Sequence, residues 1–195
     1  MPPARPFLSL VLTLLAVAPS TAQVASVPAS LTDQVRRIFA SRDFQARERF
    51  GPAGWIEQGA AYTTLEASAQ VRGANDIVRY DTRTGTRSVL VSAAKLTPAG
   101  QTNPLPIEDY QFSPDGSRLI LFTNSERVWR QNTRGDYWIF DLGTGGLRQL
   151  GGPGAPPSTL MYAKLSPGGD RAAYVRQGEI YVERLVDGAV IRLTA

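Results

Sequence analysis

The chain has 195 residues, of which 43% are hydrophobic and 19% are charged. This length suits one folded domain, and the charge content is too low for a disordered acidic or basic tail. The sequence contains no cysteine and no histidine. Within these residues, their absence excludes a disulfide framework, a zinc-thiolate site, a Ser-His-Asp triad and a His-ligated metal, so we expect no metal and no cofactor.

The excess of positive charge, +4 at neutral pH, does not form a pattern typical of nucleic-acid binding. Of the 21 basic residues 19 are Arg, and they are scattered singly apart from Arg36 and Arg37. Binding along a phosphate backbone needs basic residues clustered on one face. We therefore expect a mixed, solvated surface and no nucleic-acid partner.

The amino terminus has the pattern of a secretory signal peptide, residues 1–22. A positive charge in residues 1–5 precedes an apolar run of 11 residues at 7–17, and small residues at 20–22 fit a signal-peptidase site. The run is shorter than the roughly 20 residues that span a membrane, which makes an uncleaved anchor the weaker alternative. Cleavage after Ala22 predicts an exported chain, periplasmic or secreted, with no membrane attachment after processing.

The next segment, residues 23–53, is predicted to hold a linker and one short amphipathic helix. Behind a Pro/Ser/Ala stretch at 24–29, apolar residues recur at helical spacing, namely Leu31, Val35, Ile38 and Phe39. Ser30 or Thr32 is a candidate N-cap. Over residues 54–195 the pattern changes to short β-branched and aromatic runs between Gly, Pro, Asp and Asn, which is typical of antiparallel strands.

A repeat with a period of 53 residues runs through this region, from Ser113 to Ser166. Residues 110–122 and 162–174 each place Ser-Pro-x-Gly between two runs of strand-forming residues. Pro presets a negative φ and Gly permits a positive one, so this pattern predicts a tight turn between two strands. Residues 55–62 look like an eroded first copy, with Gln-Gly at the turn.

The second half of the unit also occurs three times. Strand-like runs at 76–81, 136–141 and 179–182 each lead to a glycine and then to a last short strand. Four strands per unit indicate the blades of a β-propeller, with a β-sandwich as the alternative that stays open. The sequence thus predicts an all-β fold, an incomplete β-propeller of about three four-stranded antiparallel blades, preceded by the signal peptide and the helix.

Two expectations follow from the blade pattern. Propellers close with roughly 4 to 8 blades, so three blades indicate the first part of a longer polypeptide. In a middle blade with a neighbour on each side, the apolar run at 119–122 should be buried on both faces.

The middle unit contains ten additional residues. From the Ser-Pro turn to the third strand there are 23 residues in the middle unit and 13 in the last. The added residues fall in segment 124–135, which is expected to extend one hairpin. Loops that depart from a repeated scaffold often carry binding residues, and the planar guanidinium of Arg suits a carbonyl or carboxylate group.

A structural interpretation of the same segment competes with binding. Arg127 and Arg134 could pair with acids such as Glu126 and Asp136, while Trp129 packs against the neighbouring blade. Composition alone favours this structural interpretation.

Segments 122–130, 135–142 and 173–182 resemble the amino-terminal propeller of bacterial dipeptidyl peptidase IV proteins, which are exported serine exopeptidases. The resemblance extends from the helix to residue 195. Its most specific part is the Val-Trp-Arg of the added segment, since Ser-Pro-Asp-Gly turns occur in many propellers. In this family an eight-bladed propeller lies on an α/β-hydrolase domain, and the enzyme removes amino-terminal dipeptides, preferring Pro or Ala at the second position.

The resemblance implies a substrate-binding role for Arg130, whose counterpart hydrogen-bonds the substrate carbonyl oxygen from within the central cavity. Trp129 and Gln131 would support it, although family members often have His where this chain has Gln131. The two Glu that hold the substrate ammonium, and the catalytic Ser, Asp and His, would lie beyond Ala195. These residues could then help to bind a peptide but could not cleave it.

The same resemblance implies the partners. They are the amino termini of peptide substrates, together with further blades and the hydrolase domain of the complete protein. Relatives dimerise, and the sequence leaves open whether the complete protein forms a homodimer. The alternative function is a non-enzymatic periplasmic scaffold similar to the β-propeller of the Tol envelope system, which would not explain the ten added residues.

Overall fold

The computed structural model describes residues 28–41, 52–152 and 154–194 of the chain. The predicted signal peptide, residues 1–22, lies outside the described residues. The chain divides into two compact units. The first contains the helix α1, Ala29–Phe39, and the second contains the strands.

The predicted amphipathic helix is confirmed, but its predicted cap is wrong. The helix begins directly after Pro28, and no side chain caps it. Because it begins so early, Ser30 and Thr32 lie inside the first turn, where the Thr32 hydroxyl donates to the Pro28 carbonyl at 3.4 Å. Among the described residues, no helix is long and apolar enough to cross a membrane.

The described part of the second unit is built of short strands with two single 3₁₀ turns. The strands are β1 Ala53–Ile56, β2 Ala61–Ala67, β3 Asn75–Asp81, β4 Arg87–Val91, β5 Asp109–Phe112, β6 Arg118–Val128, β7 Gln131–Asp141, β8 Leu147–Gln149, β9 Leu160–Leu165, β10 Arg171–Arg176, β11 Glu179–Arg184 and β12 Val190–Arg192. All their pairings are antiparallel.

The strands form three four-stranded blades in chain order, β1–β4, β5–β8 and β9–β12. The predicted all-β fold, a partial β-propeller with antiparallel blades, is confirmed. The second and third blades, however, are not separate sheets. The first half of β7 pairs with β9 of the third blade, Arg134 opposite Met161 and Gly135 opposite Leu160. The second and third blades therefore share one continuous sheet.

The Ser-Pro turns of the second and third blades use the same hydrogen bonds with differently placed acids. The amide of Ser113 donates to the carbonyl five residues later at 2.8 Å, and that of Ser166 does so at 2.9 Å. The turn glycines have positive φ values of 70° and 68°, which glycine adopts without strain. The serine hydroxyl donates to Asp115 in one turn and to Asp170 in the other.

The side chains of β6 alternate between two hydrophobic clusters, as the two-residue period of a strand requires. Leu119 and Leu121 belong to the cluster between the first and second blades, and Ile120 belongs to the cluster between the second and third. These three residues are at most 4% exposed, which confirms that the strand is covered on both faces. Phe122 is only half-buried.

Polar contacts join the blades as well. The Tyr110 hydroxyl of the second blade donates to Thr63 Oγ1 of the first at 2.9 Å. Arg118 Nη1 donates to the Gly169 carbonyl of the third blade at 2.7 Å. Each contact links a strand of the second blade, β5 or β6, to a neighbouring blade.

Candidate functional site

The ten added residues extend the β6–β7 hairpin, as predicted. We call residues 124–135 the extended hairpin. Its strands pair as far as Val128 opposite Gln131, and the turn between them consists of Trp129 and Arg130. Trp129 has a φ of 58°, which is uncommon for a residue with a bulky side chain. Two of the three residues of the Val-Trp-Arg motif therefore form the tip of the hairpin.

A polar network holds the base of the extended hairpin. Asp136 accepts from Asn124 Nδ2 at 2.8 Å and from the backbone amide of Ser158 at 2.7 Å. The Ser158 hydroxyl in turn donates to the Asn124 carbonyl at 2.6 Å. Ser158 belongs to the segment before β9, so the network ties the hairpin to the third blade.

A second set of contacts holds the part of β6 that extends beyond the second blade. Glu108, just before β5, accepts from the Ser125 amide at 2.9 Å and from the Ser125 hydroxyl at 2.5 Å. Asn132 Nδ2 donates to the same Ser125 oxygen at 2.9 Å. These contacts lie where the register of the β6–β7 ladder shifts between Thr123 and Glu126. They support the backbone where regular pairing is interrupted.

The tip presents an Arg stacked on an exposed aromatic ring. Trp129 is 84% exposed, and the Arg130 guanidinium carbon lies 4.6 Å from the centroid of its ring. Such a cation–π contact at an exposed position contributes about 0.5–1 kcal/mol. Within the described residues, Arg130 forms no ion pair. Stacking leaves the guanidinium edge able to donate to an incoming oxygen.

The flanking Arg residues have other contacts. Arg134 Nη2 lies 3.9 Å from Glu126, which agrees with the predicted pairing with an acid. The prediction is wrong for Arg127, whose Nε donates to the Trp129 carbonyl at 3.2 Å. Asp136 is occupied by the network at the hairpin base, and Trp129 is exposed rather than packed on the next blade. Of the two Arg residues in the structural interpretation, Arg134 pairs with an acid and Arg127 does not.

A cavity of about 220 Å³ lies beside the hairpin, between the inner strands β5 and β9. We call it the β5–β9 cavity. Its wall is formed by Asp109, Tyr110, Gln111, Ile120, Phe122, Asn132, Thr133, Tyr137, Tyr162, Ala163 and Lys164. Burial raises the pKa of the Tyr110 and Tyr137 hydroxyls above the ordinary value, so both stay neutral donors at physiological pH.

Sequence reasoning identified the tip but missed the groups that hold it. Glu108 and Ser158 lie in connections outside the strands, Asn124 lies within β6, and their partners are distant in the chain. Spacing in the sequence gave no signal of this, because each contact depends on how two blades stack. Among the described residues, no cluster of acidic side chains could hold a metal ion.

The chain is similar to dipeptidyl peptidases. Residues 113–195 match the family "Dipeptidyl peptidase IV (DPP IV) N-terminal region". The dipeptidyl-aminopeptidase B of Aspergillus niger is 29% identical over 138 residues, 71% of this chain and 14% of the relative. A probable dipeptidyl-aminopeptidase B of Aspergillus oryzae is 34% identical over 82 residues, 42% of this chain and 9% of the relative.

A solved structure shows the same fold. The crystal structure of Porphyromonas gingivalis dipeptidyl peptidase 4 superposes with a TM-score of 0.66 at 22% identity, over 82% of this chain and 21% of that chain. The chain thus spans about a fifth or less of the proteins that it matches. Residues 113–195, which match the family model, include the Ser-Pro-Asp-Gly turn of the second blade, the extended hairpin and the third blade. Residues 113–195 are therefore similar to the N-terminal region of dipeptidyl peptidase IV proteins, and most of the chain has the fold of the corresponding part of a dipeptidyl peptidase 4.

Proposed function

We propose that the chain is the substrate-gating propeller portion of an exported serine exopeptidase that removes Xaa-Pro or Xaa-Ala dipeptides from peptide amino termini. In this proposal Arg130 binds a carbonyl oxygen of the peptide, with support from Trp129 and Gln131. Residues 1–22 direct the export and are then removed as a signal peptide. Catalysis depends on a hydrolase domain that these residues do not supply, and the complete protein is the species that acts.

The observation that carries the proposal is the exposed Arg130 at the tip of the extended hairpin. An arginine that is already paired with a carboxylate has its donors occupied, and Arg134 is in that position. Arg127 is directed to the backbone of its own hairpin. Arg130 stacks on a neutral ring instead. A charge-assisted hydrogen bond from it to a peptide carbonyl would fix the peptide in register.

The hairpin base supports this role. A binding group must be held by its surroundings if it is to position a reacting bond. The network of Asp136, Asn124 and Ser158 holds the hairpin where it leaves the blade. A plain scaffold blade would not need either the added strands or this network, which is why the peptidase role is preferred to the scaffold role.

The test compares Arg130→Ala with Arg127→Ala in the complete peptidase, using a dipeptide-anilide substrate. Loss of one charge-assisted hydrogen bond to substrate should lower kcat/KM by about ten- to a hundred-fold for Arg130→Ala. Arg127→Ala should lower kcat/KM much less, because the Arg127 side chain donates only to the backbone of its own hairpin. Unchanged kcat/KM for Arg130→Ala, or a loss seen only as a lower Tm, would contradict the proposed role.

The 195-residue chain alone should release no anilide, since it lacks the histidine that a serine peptidase needs as general base. Hydrolysis by the purified chain that persists after removal of contaminating peptidases would contradict this assignment.

A further inference from the structure

The β5–β9 cavity is unexplained by the proposed role of Arg130. Its inner wall is apolar. Ile120 and Ala163 are each 4% exposed, and the rings of Phe122 and Tyr137 lie beside them with their centroids 4.8 Å apart. A neighbouring pair of rings next to small and aliphatic side chains provides a surface on which a third ring can stack.

The mouth of the cavity is polar and carries both signs of charge. Lys164 Nζ donates to Gln111 Oε1 at 2.9 Å across the gap between β9 and β5. Asp109 Oδ1 accepts from the Tyr110 amide at 2.8 Å, which leaves the second carboxylate oxygen available. One donor and one acceptor at the mouth match the C=O and N–H of a peptide that inserts a side chain.

Tyr162 adds a strained element to the same site. It lies in β9 with a φ of 55°, its side chain is 59% exposed, and the β9–β10 register shifts nearby. An aromatic residue in the left-handed region costs of order 1–3 kcal/mol, and such residues cluster at binding sites. Here the strain places a tyrosine in the wall of the cavity.

The volume fits one aromatic ring. The cavity measures about 220 Å³, whereas a dry cavity of about 150 Å³ is enough to bind benzene. A long cationic side chain would bring a second positive charge near Lys164. An aliphatic side chain would fit but would gain less from the rings than an aromatic one.

We propose that the β5–β9 cavity binds the aromatic side chain of a peptide residue, with the peptide backbone held at the mouth by Asp109 and Lys164. The proposal rests on the proposed function, since it identifies a class of peptide for the same protein. It adds a preference for Phe, Tyr or Trp at a position that contacts the propeller.

The test uses the full 195-residue chain and short peptides blocked at both ends, N-acetyl-Gly-Xaa-Gly-amide with Xaa as Tyr, Leu or Lys. Blocked peptides have no free amino terminus, so they probe the cavity and not the exopeptidase role. Binding is followed by amide chemical-shift titration. The Tyr peptide should bind about ten-fold more tightly than the Leu or Lys peptide, a difference of about 1.4 kcal/mol.

The variant Gln111→Trp places a ring in the mouth of the cavity and should weaken binding of the Tyr peptide by about ten-fold or more. Gln101→Trp, in an exposed loop away from the cavity, is the matched control and should bind as the unmodified chain does. Circular dichroism tests whether both variants keep the strand content of the unmodified chain.

Several outcomes would overturn the proposal. They are equal binding of the three peptides, tighter binding of the Lys peptide, or no effect of Gln111→Trp. If Gln111→Trp loses its strand content, Lys164→Ala replaces it, because this substitution only removes a side chain at the mouth. Lys164→Ala must then weaken binding of the Tyr peptide. Failure here with a clear Arg130→Ala effect on kcat/KM would leave the proposed function standing without this subsite.

Discussion

The Glu183 carboxylate on β11 is a buried charged group that connects the second and third blades. It is 1% exposed and pairs with Arg148 of β8. Its Oε2 atom accepts from the Gly151 amide at 2.8 Å and from the Tyr174 hydroxyl at 3.3 Å. Glu183→Ala would remove the acceptor of three donors at once.

The expected cost follows from how well water can replace each lost contact. Breaking a buried ion pair by removing one partner costs about 3–5 kcal/mol. The Arg148 side chain is 34% exposed, so it can turn partly to solvent, whereas Tyr174 is buried. We therefore expect a loss near the lower limit, about 3 kcal/mol. Glu183→Gln keeps the shape of the side chain and should lower the free energy of unfolding by less.

The assay is urea unfolding of the 195-residue chain, followed by tryptophan fluorescence and circular dichroism. Glu126→Ala is the control, because Glu126 belongs to an exposed ion pair with a separation of 3.9 Å. Removing such a pair should change the unfolding free energy by no more than about 1 kcal/mol. Equal losses for Glu183→Ala and Glu126→Ala would refute the reasoning that burial makes the inter-blade pair important.

Two further predictions concern the hairpin base and the same inter-blade region. A Cβ at Gly135 would lie 2.9 Å from the Thr123 carbonyl oxygen and would also clash with a neighbouring ring, so Gly135→Ala should lower Tm in a thermal scan. Gly154→Ala, with open space around it, should leave Tm unchanged, and equal values for the two would contradict the prediction. Burial, followed by the charge of Glu183, raises the pKa of Tyr174 to about 12. Because this folded-state pKa exceeds the unfolded value near 10, the unfolding free energy should fall between pH 10 and pH 12, and Tyr174→Phe should flatten that part of a pH series of urea titrations.

The sequence predicted the blades because their signals are local. A Ser-Pro-x-Gly turn depends on two or three adjacent residues, and the alternation of Leu119, Ile120 and Leu121 depends only on strand geometry. The extension of the β6–β7 hairpin followed from counting residues between equivalent positions. Each of these features can be identified without knowing which blades are neighbours.

The pairing of β7 with β9 could not be predicted in this way. It joins Gly135 to Leu160, and the first and second blades have no corresponding pairing. The partner of Asp136 was also misjudged. Arg134, two residues away, is the obvious candidate in the sequence, but Asp136 accepts from the Ser158 amide, because a buried amide must find an acceptor.

The β7–β9 pairing and the hydrogen bond from Ser158 to Asp136 explain how the exposed tip of the hairpin can be held in one position. A two-stranded ribbon by itself is marginally stable in water. Here two features stabilise the base of the hairpin. The strand β7 also pairs with β9 of the third blade, and Asp136 accepts a hydrogen bond from Ser158 of the segment before β9. The position of Arg130 is then set by the stacking of the second and third blades rather than by the hairpin alone. We therefore expect a change at the blade interface, such as Glu183→Ala, to alter the position of Arg130 as well as the unfolding free energy, since the hairpin base contacts the third blade.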